Sequence, residues 1–122
     1  MRNFKELEVW QLGMEIVTDI YTMVPGLPHE EKYGLKSQLT RAAVSIPSNI
    51  AEGCAKTSEK EFRHYLERAL GSAFEAETQL LIIRQLGFVE SEIIDELLKK
   101  INKEQRKLGS FISSVKDRIP SS

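Results

Sequence analysis

Four long stretches of this chain carry apolar residues at every third or fourth position, separated by three short breaks rich in Gly, Pro and Ser. The breaks are Pro25-Gly26-Leu27-Pro28, the run from Gly53 to Ser58, and Gly87 to Ser91. A spacing of three and four places side chains on one face of an α-helix, and there is almost no alternation of period two to support strands. The expected fold is therefore all-α: an antiparallel up-down-up-down four-helix bundle, its short connections forcing successive helices to run antiparallel. With 122 residues, the chain is expected to form one domain over 1–122, with short flexible ends at about 1–5 and 119–122.

The first segment, from about Glu6 to Val24, has two apolar stripes. Trp10, Met14, Val17, Tyr21 and Val24 form one; Val9, Leu12, Ile16, Ile20 and Met23 form the other. At about 100° per residue they cover about 200° of the helix circumference, more than a lone surface helix of a bundle buries. The second stripe is assigned to an interface with another copy of the chain.

The second segment runs from about Gly34 to Gly53. Leu35, Leu39, Ala42, Ala43, Ile46 and Ile50 point to a core, and the internal Pro47 predicts a kink. Beside that stripe lies a polar seam of Gln38, Arg41, Ser45, Asn49 and Glu52. It reads either as a recognition surface or, more plainly, as a hydrogen-bonded network that fixes helix register. Asn49 is suited to satisfy backbone groups freed by the proline.

The third segment opens on Ser58-Glu59-Lys60-Glu61, a capping box, and continues to about Leu86. Its core stripe is Phe62, Leu66, Ala69, Ala73, Ala76, Leu80 and Ile83, with alanines that let another helix come close. Glu77 and Arg84 fall in this apolar sector and are expected to pair with each other or with Arg41. The fourth segment, from about Ser91 to Arg118, repeats Ile94, Leu97, Ile101, Leu108, Ile112 and Val115 in a near-heptad rhythm. Away from that stripe stand Lys99, Lys100, Lys103, Arg106 and Lys107, a solvated helix face or a contact for phosphate backbones.

Charge and chemistry narrow the function. Seventeen basic and 18 acidic residues give a net charge of −1, which excludes a uniformly basic nucleic-acid coat but not a local stripe. One cysteine, Cys54, excludes an internal disulfide and a cysteine-cluster metal site. Glu61 and His64 make one Glu-x-x-His spacing, whereas a di-iron bundle uses two such pairs and two further glutamates. No enzyme activity, catalytic residue, metal or cofactor is expected. No apolar run reaches membrane-spanning length and the first residues do not read as a signal peptide, so a cytoplasmic location is expected.

Three stretches resemble a known bacterial family. These are Phe4-Lys5-Glu6-Leu7-Glu8-Val9-Trp10-Gln11, the run Gln38 to Gly53 with its Ser45-Ile46-Pro47-Ser48-Asn49-Ile50-Ala51-Glu52-Gly53 string, and the Glu61-Phe62 to Gly87-Phe88 helix. The chain is similar to the four helix bundle proteins whose first members were encoded by intervening sequences in large-subunit ribosomal RNA genes. The resemblance implies a homopentamer of bundles with no enzymatic activity. It also implies kinship with the basic, pentameric accessory protein of diversity-generating retroelements, which binds nucleic acid and a reverse transcriptase. The resulting expectation is a homo-oligomeric scaffold or accessory that contacts ribosomal RNA, DNA or a nucleic-acid-processing protein. The alternative is a protein-interaction module that binds no nucleic acid.

Overall fold

The computed structural model describes residues 2–120; the expected loose ends at residue 1 and at 121–122 lie outside these. Four helices carry the fold: α1 (Glu8–Met23), α2 (Leu35–Cys54), α3 (Glu59–Leu86) and α4 (Ser91–Asp117). Each packs on the next, and α1 closes the bundle against α4. Cross-helix pairs run in opposite directions along the chain (Ser45 with Ser72, Gln38 with Gln79; Glu8 with Lys107, Glu15 with Lys100), so these neighbours are antiparallel. No described helix is long and apolar enough to cross a membrane.

Local chemistry sets the ends of the helices. The Ser58 hydroxyl accepts the Glu61 amide at 3.1 Å and starts α3. Gly87, with φ +71°, stops it in the left-handed region that favours glycine, its N–H reaching back to Arg84 and Ile83. Glu31 Oε1 accepts the Leu35 amide at 3.2 Å and caps α2. α2 then runs unbroken through Pro47.

The apolar interior divides along the bundle axis into two clusters. One gathers Leu12, Ile16, Ile20, Leu39, Ala76, Leu80, Ile94 and Ile101 with their neighbours. The other gathers Val9, Ile46, Ile50, Phe62, Leu66, Ala73, Leu108 and Val115. Burying the Val, Leu, Ile and Phe side chains among these contributes about 1.5–3 kcal/mol each relative to exposure.

Two expectations are corrected at this level. The stripe assigned to a second copy (Val9, Leu12, Ile16, Ile20 and Met23) is buried inside the single chain, with Ile16 and Ile20 at 0% exposure. The reason is that α4 and α2 both lean on that side of α1. The stripe left outside contains Met14, Tyr21 and the half-buried Trp10 and Val17. The N-terminal residues before α1 are also not a loose end. Phe4–Glu6 form a 3-10 turn capped by Asn3, and Phe4 meets Trp10 edge to face at 5.3 Å. Arg2 donates to the Lys56 carbonyl at 3.2 Å, lies 3.9 Å over the Phe62 ring, and pairs with Glu59, whose carboxylate also takes Arg118 at 3.5 Å.

Candidate functional site: the polar seam and the basic face

The polar seam lies where α2 meets α3. Asn49 Nδ2 donates to the Ser45 carbonyl and to the Ser45 hydroxyl, both at 2.8 Å. Ser45 Oγ lies 2.8 Å from Ser72 Oγ on α3, which links the helices through two short side chains. Such contacts need close backbones, and Gly53 supplies the closest approach. A β-carbon there would fall 2.8 Å from Tyr65 Cβ and 3.3 Å from the Phe62 ring. Asn49 does not take the carbonyl of Ala43, which Pro47 leaves without its usual amide donor; it is directed two residues further on, to Ser45. Gln38 accepts from Gln79 at a long 3.5 Å. Arg41 and Glu52 are exposed, and among the described residues neither takes part in an ion pair.

Glu77 and Arg84 do not pair with each other or with Arg41. Both sit at the flank of α3 turned to α4. Glu77 accepts from Asn102 at 2.8 Å and Gln105 at 3.0 Å, and Arg84 meets Asp95 at 3.0 Å in a half-exposed ion pair. Side-chain amides of α4 therefore satisfy the Glu77 carboxylate in place of the expected arginine.

The five cations of α4 separate into two groups. Lys100 donates to Asp19 at 2.5 Å and lies 3.5 Å from Glu15; Lys107 donates to Glu8 at 2.7 Å. The hydrogen bond it donates to Asp19 holds the Lys100 ammonium above its ordinary range, and the hydrogen bond from Lys107 holds the Glu8 carboxyl below its own. Lys99, Lys103 and Arg106 stay exposed, Lys99 with an in-helix partner, Glu96, at 3.0 Å. The basic face is thus narrower than the sequence indicates, because α1 neutralises the half of it that borders α1.

Glu61 and His64 are both exposed, and among the described residues no three His, Cys, Asp or Glu side chains gather as a metal site would need. Cys54 is buried, and burial pushes its thiol up. The residue that sequence reasoning missed is Glu104. It is 0% exposed, and neither carboxylate oxygen has a hydrogen-bond partner. The signal was present: position 104 completes the three-four spacing of Ile94, Leu97, Ile101 and Leu108, so it belongs to the core stripe.

No curated protein matches the chain. Among solved structures, a crystal structure of a protein with unknown function from the S23 ribosomal protein family of Bacteroides thetaiotaomicron superposes with a TM-score of 0.79. The two are 25% identical, and the match covers 85% of this chain and 97% of that one. The family model described as 23S rRNA-intervening sequence protein matches residues 5–110. With most of its length inside that match, the chain belongs to the 23S rRNA-intervening sequence protein family.

Proposed function

We propose that this protein is a non-catalytic scaffold or accessory that assembles head to tail with copies of itself into a closed ring, five copies being what the family resemblance implies. The observation that carries this reading is a pair of unlike apolar surfaces on opposite sides of the bundle. On the α1–α2 side, Trp10, Met14 (42% exposed) and Val17 flank Val44, Pro47 and Ala51 around a shallow apolar groove, and Tyr21 (52% exposed) continues the same stripe of α1. On the far side, half-buried Leu70, Phe74 (51% exposed) and Leu81 share the flank of α3 that carries Glu77 toward α4. Two different patches that fit one another make a heterologous contact, and such contacts close into rings when the rotation between copies allows. The interface therefore uses the other stripe of α1 from the one assigned on sequence.

In such a ring Lys99, Lys103 and Arg106 repeat once per copy, and additive phosphate contacts favour a nucleic-acid backbone as a partner. The ion pairing of Lys100 and Lys107 favours a second reading, a protein-interaction module without nucleic acid.

Light scattering on the purified chain at micromolar concentration tests the assembly. The expected mass is a multiple of the chain's, falling to a single chain on Met14→Glu or Phe74→Glu, both of which change exposed side chains. A wild-type monomer removes the proposal. Fluorescence anisotropy with structured RNA separates the two readings. Binding that weakens steeply with salt, and further with Lys103→Glu, supports nucleic acid; no binding at low salt leaves the protein-interaction module.

A further inference from the structure

The level at which the two core clusters part has an unusual composition. α1 contributes Gly13, α2 contributes Pro47 beside Ile46, and α4 contributes Glu104, lying between Ile101 of one cluster and Leu108 of the other. A methyl group at Gly13 would come within 3.1 Å of a Glu104 carboxylate oxygen, 3.4 Å of Ile46 and 3.5 Å of Pro47. Glu104 thus reaches across the interior into space that a glycine leaves open, against a proline with no N–H to give. Both its oxygens are buried and unpartnered.

From this geometry we infer that Glu104 is a proton-binding site at the waist of the bundle, neutral in the closed protein, whose ionisation loosens the packing of α1 and α2 on α4. An isolated buried anion is far costlier than a neutral acid, and a site with no donor cannot offset that cost. Burial pushes the Glu104 carboxyl up to about 8, with Lys107 opposing. The charged groups around it do not supply a partner. On α4, Lys107 is hydrogen-bonded to Glu8 and Lys100 to Asp19. On α1, Glu8, Glu15 and Asp19 face those lysines. The buried faces of α2 and α3 carry no charged residue, and Glu77 at the edge of α3 is taken by Asn102 and Gln105.

The direction of the pH dependence follows. In the unfolded chain Glu104 titrates at its ordinary value of 4.5, and in the folded chain at about 8. Between these values the folded state holds a proton that the unfolded state has released. Its contribution is complete below the lower value and declines as pH rises through the upper one, by about tenfold in the unfolding equilibrium constant per pH unit. Above that the folded chain ionises too, and the decline stops.

Chemical denaturation of wild type and Glu104→Gln from about pH 5 to 9 tests this. The wild type is expected to lose stability relative to the variant across that range and then level off. Curves that run parallel overturn the inference. Should the variant fail to fold, carbon-13 titration of the glutamate carboxyls in the wild-type protein decides. One carboxyl with a midpoint near 8 supports the site; a full set titrating in the ordinary range sinks it.

Discussion

The α2–α3 and α1–α4 contacts of this bundle solve the same problem by opposite means. Between α2 and α3 the side chains are short: Gly53 against Tyr65, Ser45 against Ser72 at 2.8 Å, and the buried alanines Ala69, Ala73 and Ala76. Between α1 and α4 they are long: Lys100 spans to Asp19 and Glu15, and Lys107 to Glu8. The first contact depends on steric fit between closely packed helices, where a single added methyl matters. The second depends on charge in a half-exposed region, where solvent and salt screen it. The bundle is consequently rigid along one side and adjustable along the other, and Glu104 sits at the level where α1, α2 and α4 meet.

Substitutions can break that contrast in order of size. Gly53→Ala is expected to have the largest effect, a loss of about 1–3 kcal/mol despite the better helix propensity of alanine. The 2.8 Å approach to Tyr65 Cβ forces α2 and α3 apart, and urea unfolding measures the cost. A variant as stable as wild type would show that this contact yields more readily than its geometry indicates. Asn49→Ala should cost about 0.5–1.5 kcal/mol, since it removes two donated hydrogen bonds yet leaves the Ser45–Ser72 pair intact. Its cost should be the same at low and high salt. Lys100→Met should have the smallest effect, under about 1 kcal/mol because the pair is half exposed, and it should fade as salt rises. A salt-independent loss there would mean that the lysine stem packs rather than pairs, and the contrast between the two contacts would collapse.

The helices were legible because their signals are local. The three-four periodicity, the Ser58 cap and Gly87 each act within one turn of their own residue, and the structure places them as read except that the Glu61 carboxylate takes the Ser58 hydroxyl at 3.4 Å and not its amide, so the capping box is one-sided. The facing of α1 was not legible from apolarity, since its two stripes are almost equally apolar. Charge carries the missing information: Glu8 and Glu15 stand seven apart, as do Lys100 and Lys107, and an antiparallel α1–α4 pair brings both couples together. That match required reading two distant segments jointly. The polar seam was readable as a set of positions on one helix flank. Its division into bonded Ser45 and Asn49 and exposed Arg41 and Glu52 depends on how closely α3 approaches, which no single segment encodes. Glu104 was passed over because a carboxylate in a core position contradicts ordinary burial preferences, although its spacing placed it there.

The partners in the ion-paired contact lie 81 and 99 residues apart in sequence, and Ser45 and Ser72 only 27. Joining distant segments carries a larger loop entropy, so the central hairpin is set to zip before the outer helices find one another. On a translating ribosome α4 emerges after the other three helices, leaving Ile16 and Ile20 without the helix that completes their cover until it has been made. A nascent chain stalled before Ser91 is then a sticky three-helix fragment, and chaperones have most reason to hold the protein in that interval.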